Sequence, residues 1–122
     1  MKKILVIEDD EYLCLLIKRF LKSQGFNVRT AENGFIGLVI AKEQIPDLIV
    51  CDIRMPVLDG YGVLENLRKD LKTANIPLFF ITFYTDSENR NRAFQLGAKQ
   101  YIEKPIDLNE LLLKIKQQLK LI

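Results

Sequence analysis

Three short stretches of this chain carry side chains that could do chemistry together. Glu8, Asp9, Asp10 and Glu11 form a run of acids directly after the apolar "KILVI". Asp52 closes a second apolar run, "DLIVCD", and Thr82 closes a third, "IPLFFIT". Lys104 follows "QYIE" and stands before Pro105. Carboxylates gathered without a counter-charge repel and raise one another's pKa, so the acids require something positive among them. Oxygen donors without imidazole or thiolate suit Mg²⁺, which takes only a few carboxylates and keeps several waters. An aspartate beside such a metal, a lysine and a hydroxyl can take up a phosphoryl group. The carboxylate is the nucleophile, the cations neutralise the phosphoryl oxygens and the hydroxyl donates a hydrogen bond. Each member alone has a plainer explanation. Asp10 is placed to cap a helix, and Glu11 suits its first turn. A Thr at a strand end is ordinary, and a Lys before Pro is usually at the surface. The convergence of Glu8, Asp9, Asp52, Thr82 and Lys104 is what carries the chemistry.

That convergence depends on the elements in between. Apolar runs alternate with helix-period segments along the whole chain. "KILVI", "DLIVCD" and "IPLFFIT" are continuously apolar, as expected of strands covered on both faces. "FNVRTA" and "KQYIEK" are shorter or more polar and belong nearer the sheet edges. Between them lie "DEYLCLLIKRFLKSQG", "NGFIGLVIAKEQI", "GYGVLENLRKDL" and "DSENRNRAFQLG", with "DLNELLLKIKQQLKLI" at the end. Gly25, Pro46 and Gly97 mark helix ends, and Asp107 with Glu110 three residues on marks a helix start. Five strand–helix pairs in strict alternation predict an α/β fold with right-handed crossovers. The expected architecture is a flavodoxin-like, doubly wound (βα)5 sandwich on a five-stranded parallel sheet of order 2-1-3-4-5. Its crevice lies at the carboxyl ends of the strands, at the topological switch point. In that order the strands ending in Glu8 and Asp52 are neighbours.

Composition narrows the function. At 122 residues, residues 1–122 read as one domain. Apolar residues make up 48%, enough for a core, and the 18 basic and 16 acidic residues nearly balance, giving no reason to expect nucleic acid or membrane as the main partner. No signal peptide or membrane-length apolar run is present, which suggests a cytoplasmic protein. Cys14 and Cys51 sit within apolar runs and read as small core residues rather than a disulfide. The chain has no histidine. Ser-His-Asp hydrolysis, Cys-His proteolysis, His-ligated zinc and phosphoryl storage on the chain's own histidine are all excluded as usually built.

With these residues in place, the sequence resembles the receiver domain of two-component response regulators, the CheY-like family. The likeness spans essentially the whole chain, through "ILVIEDD", "DLIVCDIRMPVLDGYGVL", "IPLFFIT" and "LGAKQYIEKP". It implies that Asp52 is the phosphoacceptor, served by a histidine kinase or phosphotransfer protein. It implies that Glu8, Asp9, Asp52 and the backbone carbonyl of Arg54 hold Mg²⁺. Thr82 and Lys104 would read the phosphoryl group, and Tyr101 would be the switch aromatic, turning inward as Thr82 moves. The Lys104–Pro105 bond is expected to be cis. A downstream protein would dock on the face of the fourth helix, fifth strand and fifth helix. No direct nucleic-acid or membrane contact is implied, and a single-domain receiver is the expectation. Such a domain is a regulator, catalysing at most its own phosphorylation and dephosphorylation. This sequence departs from the family in having Phe83, then Tyr84, where a small residue usually follows the Thr, so the path to Asp52 is narrowed. Arg92 and Glu110 fit charge positions of the family's dimer face, whereas Gln100 stands where that pattern has an Asp.

Other readings remain open at this level. An aspartyl-phosphate phosphatase would want an acid two residues after Asp52, where this chain has Arg54. A flavodoxin-type cofactor binder would want a glycine- or hydroxyl-rich loop after the first strand, where this chain has acids. A receiver-like module that binds partners without taking phosphate is favoured only by Phe83.

Overall fold

The computed structural model describes residues 1–122 and has strands and helices in strict alternation. These are β1 (Lys3–Ile7), α1 (Glu11–Ser23), β2 (Asn27–Ala31), α2 (Gly34–Gln44), β3 (Leu48–Asp52), α3 (Gly60–Lys69), β4 (Leu78–Thr82), α4 (Ser87–Gln95), β5 (Gln100–Glu103) and α5 (Leu108–Gln118). The strands pair in parallel in the order β2-β1-β3-β4-β5, as the alternation predicts. Burial follows the hydrophobic runs. β3 and β4 are buried at every residue, and β1 at all but Lys3, whereas β2 and β5 form the partly exposed edges.

Alternate residues of each strand feed two separate cores. Leu5, Ile7, Ile49, Cys51, Leu78, Phe80 and Tyr101 pack with the buried residues of α2, α3 and α4. Ile4, Val6, Leu48, Val50, Phe79, Ile81 and Ile102 pack with Ile17 and Leu21 of α1 and Leu111 and Ile115 of α5. The sheet is thereby sandwiched, which is why its central strands carry no polar alternation. Cys14 and Cys51 are free thiols.

Every helix starts at the edge where the strands end, and each start is fixed by a short polar side chain. Asp10, Asn33, Asp59, Asp86 and Asp107 accept backbone N–H bonds from the first turns of α1 to α5. Asp107 caps α5 as its sequence context predicts, bonding the N–H groups of Asn109 and Glu110. Gly25 and Gly97 follow their helices with φ of 93° and 105°, the left-handed conformation that glycine adopts without steric cost. The Lys104–Pro105 peptide bond is cis.

One turn joins the sheet directly to the site. Gly60 opens α3 and donates its N–H to the Ile53 carbonyl at 2.7 Å. A Cβ at Gly60 would strike the Asp52 carbonyl oxygen and meet Ile53 Cα and Phe80 Cε1 at 2.8 Å each. Gly60→Ala must therefore push the end of β3 or the start of α3 aside. We expect it to destabilise the fold by roughly 1–3 kcal/mol, as overpacking does, measured by urea unfolding. An unchanged midpoint would show that the turn absorbs the methyl group freely.

Candidate functional site

The register places the polar strand ends side by side. Ile7 pairs with Cys51, Asp52 with Ile81 and Thr82 with Glu103. Glu8, Asp52, Thr82 and Lys104 therefore emerge together along one edge. Glu8 is anchored there by donating its backbone N–H to the Ala31 carbonyl at 3.0 Å. Lys104 is anchored by donating its N–H to the Thr82 carbonyl at 2.7 Å. These ends line a cavity of ≈ 260 Å³ with Asp9, Asp10, Arg54, Phe83 and Tyr84. Every residue expected to touch metal or phosphoryl group thus lies on one cavity, and Tyr101 lies behind it.

The charges inside are unequal. The Lys104 ammonium sits 2.8 Å from Glu8 Oε1 and 3.3 Å from Asp52 Oδ2, with its side chain 5% exposed. Burial alone would lower the Lys104 pKa, but its two acid partners outweigh this and hold it above the usual lysine value. Glu8 fares worse. Burial pushes its carboxyl up to about 7, with Asp52 adding repulsion, against the opposing help of Lys104 and the Asp10 N–H. Its Oε2 accepts that N–H at 3.1 Å, and its buried Oε1 faces the Lys104 ammonium at 2.8 Å. That single ammonium is shared with Asp52.

A divalent cation fits the vacancy in charge. Glu8, Asp9 and Asp52 can each aim an oxygen so that all three lie within 4.8 Å of one another. Lys104 is the one cation in contact with two of the three carboxylates, and the donors are all oxygen. That is the donor set of a hard cation.

Behind the cavity runs a chain of hydrogen bonds. Tyr84 donates its N–H to Thr82 Oγ1 at 3.0 Å, and Tyr101 donates its hydroxyl to the Tyr84 carbonyl at 2.9 Å. The Tyr101 ring is buried in the α2–α3–α4 core, and its phenol is pushed up to about 12, chiefly by burial.

Sequence reasoning missed the fastening of α4. Its only buried residue is Ala93. Instead, Tyr61 of α3 donates its hydroxyl to Asn89 Oδ1 at 2.6 Å, and Arg92 lies 4.0 Å over the Tyr61 ring. Arg90 lies 5.7 Å over the Tyr101 ring and 5.3 Å over that of Phe94. The signal was present in "SENRNRAFQ", a helix too polar to be held by apolar burial, and in the tyrosine of "DGYG". Within the chain Arg92 is thus engaged by Tyr61, and Glu110 by Lys114 at 3.2 Å.

A family model described as the response regulator receiver domain matches residues 4–116. The chain is 40% identical over 113 residues to the probable transcriptional regulator ycf29 of Porphyra purpurea, covering 93% of this chain and 54% of that protein. It is 34% identical over 120 residues to the DNA-binding dual master transcriptional regulator RpaA of Synechocystis sp., covering 98% and 50%. The chain therefore spans about half the length of these curated relatives. Among solved structures, the receiver domain of the Francisella response regulator 1452 superposes with a TM-score of 0.92 at 29% identity, covering 98% of both chains. The receiver domain of the sensor histidine kinase PA1611 of Pseudomonas aeruginosa, described with a magnesium ion coordinated in its active-site cleft, gives 0.88 at 28% identity, covering 96% of both.

The unequal charges generate a test. Lys104→Met leaves Glu8 and Asp52 facing each other. Breaking a buried pair costs ~3–5 kcal/mol when the remaining charge is trapped. Glu8 can take up a proton instead, so we expect a loss of about 2 kcal/mol at neutral pH. Adding Glu8→Gln to Lys104→Met should recover most of it in urea unfolding. A double variant no more stable than the single one would show that Lys104 acts through packing.

Proposed function

This chain belongs to the response regulator receiver domain family, and from that premise we propose that it is a phosphoacceptor switch of a two-component system. In the cytoplasm, Asp52 takes a phosphoryl group from a histidine kinase or phosphotransfer protein, with Mg²⁺ in the acidic cavity. The face of α4, β5 and α5 then changes its fit for a downstream protein. The observation that carries this reading is the meeting of Glu8, Asp9, Asp52, Thr82 and Lys104 on one ≈ 260 Å³ cavity. No direct DNA contact is part of this proposal.

The chemistry follows from the placement. Glu8, Asp9, Asp52 and, by family resemblance, the Arg54 carbonyl would hold Mg²⁺, which supplies charge neutralisation on the phosphoryl oxygens. An Asp52 oxygen attacks phosphorus as the donor's P–N or P–O bond breaks, and the leaving group departs with that electron pair. Lys104, kept charged by its neighbours, offers its ammonium to a phosphoryl oxygen. Thr82 Oγ1 accepts the Tyr84 N–H, and its rotatable hydroxyl can donate to a phosphoryl oxygen. Drawing Thr82 toward the phosphoryl group pulls on the Tyr84 N–H, and the Tyr84 carbonyl in turn holds the Tyr101 hydroxyl. The site is thereby connected to the ring over which Arg90 of α4 lies.

Incubation with acetyl phosphate and Mg²⁺, read by intact mass, tests the acceptor. The parent should gain one phosphoryl group, Asp52→Asn none, and Asp9→Ala should need much more Mg²⁺ for the same gain. A phosphorylated Asp52→Asn protein would place the acceptor elsewhere.

Tyr61→Phe tests the hold on α4. It removes a hydrogen bond whose net value is ~1 kcal/mol, so amide exchange across residues 86–95 should quicken about fivefold. Beryllium fluoride, a phosphoryl mimic, should also move signals from residues 86–106 in the parent. Responses confined to the loops around Asp52 would mean that the domain takes phosphate without switching.

A further inference from the structure

Phe83 contradicts hydrophobic logic. It follows the buried Thr82 yet is 73% exposed, and its ring belongs to neither core. What the ring touches is the Lys104 ammonium, whose Nζ lies 5.1 Å from the ring centroid. That is within the ~6 Å over which an aromatic face attracts a cation. The same ammonium is bounded by Glu8 Oε1 at 2.8 Å and Asp52 Oδ2 at 3.3 Å. Carboxylates form one side of its notch and the aromatic ring another.

We propose that Phe83 is a positioning residue for phosphoryl transfer to Asp52, its π face holding the Lys104 ammonium in the notch beside the acceptor. The proposal rests on the phosphoacceptor reading above. Its force is greatest in the loaded site. Glu8 and Asp52 are also the oxygens suited to the metal, so a bound cation weakens their hold on Lys104. The ring does not compete for that cation's oxygens, and it remains. An ammonium that leaves the notch cannot meet a phosphoryl oxygen, so the rate falls with the fraction of time it spends in place.

Phe83→Leu keeps apolar bulk and removes the π face, whereas Phe83→Trp strengthens it. At fixed acetyl phosphate and Mg²⁺, the Leu variant should gain phosphate roughly three- to tenfold more slowly, the range that ~0.7–1.4 kcal/mol makes. The Trp variant should match or exceed the parent. Independently, the Lys104 ε-methylene signals should lie upfield in the parent through the ring current and move downfield in the Leu variant, with or without donor. The thermal midpoint of the Leu variant should fall by no more than a few degrees, since one weak contact is lost, so the variants remain folded in the assay. A Leu variant as fast as the parent, or Lys104 signals that do not move, overturns the proposal. A parent that takes no phosphate overturns the phosphoacceptor reading instead, and the Lys104 signals still decide the contact.

Discussion

One ammonium group holds together the end of the sheet where three acids meet. A parallel sheet delivers all its strand ends to one edge, and here those ends are Glu8, Asp52, Thr82 and Lys104. Without Lys104 the Glu8 and Asp52 carboxylates would face each other in a partly desolvated notch, where Coulomb repulsion is far stronger than in water. The helices help from the same edge. All five start there, and their N-terminal N–H groups carry partial positive charge. Much of that charge, however, is already satisfied by the capping side chains Asp10, Asn33, Asp59, Asp86 and Asp107. Three carboxylates, Glu8, Asp9 and Asp52, share the single Lys104 ammonium. The excess negative charge is of the kind that a hard divalent cation offsets.

The two faces of the sheet are held by different physics. α1 and α5 each place buried aliphatic side chains against one side of the sheet. On the other side α3 does the same, with Val63, Leu64 and Leu67 fully buried. α4 is fastened by a phenol–amide hydrogen bond and by guanidinium groups over the Tyr61 and Tyr101 rings. Apolar burial is non-directional and survives small shifts. The contacts of α4 are directional and individually weak, on the order of 1 kcal/mol each. Losing any one of them exposes no core side chain, so α4, with Ala93 as its single buried residue, is held less by burial than the other helices are.

Much of this was legible in the sequence because the signals were unambiguous. Continuous apolar runs ending in Glu8, Asp52 and Thr82 fixed the covered strands, and strict alternation fixed their parallel order. Asp107 and Gly97 marked helix ends for known stereochemical reasons. The rest depended on pairwise geometry that no run of letters encodes. Tyr61 and Asn89 lie 28 positions apart, yet their side chains meet at 2.6 Å. Phe83 read as a steric departure from the family pattern, and only the fold shows its ring over Lys104. The family resemblance has Tyr101 turning inward as Thr82 moves, and the fold already holds its ring inside, with the hydroxyl on the Tyr84 carbonyl.

The energetic scale of the proposed switch follows from how β4 and β5 are tied. Lys104 donates its backbone N–H to the Thr82 carbonyl at 2.7 Å, so the two residues proposed to face a phosphoryl group share one backbone link. A pull on either is felt by both, and their contributions act on one coordinate. Hydrogen bonds to charged groups are worth ~1.5–3 kcal/mol each. Two acting together supply about 3–6 kcal/mol of differential binding. Turning a 1:99 equilibrium into 99:1 needs about 5.5 kcal/mol, which lies near the top of that range. The three contacts that fasten α4, each on the order of 1 kcal/mol, together amount to about 3 kcal/mol, the lower end of that range. In the switch reading proposed above, two strand-end side chains are thus of the same energetic order as the fastening of α4, whereas the sheet is held by two cores of buried side chains.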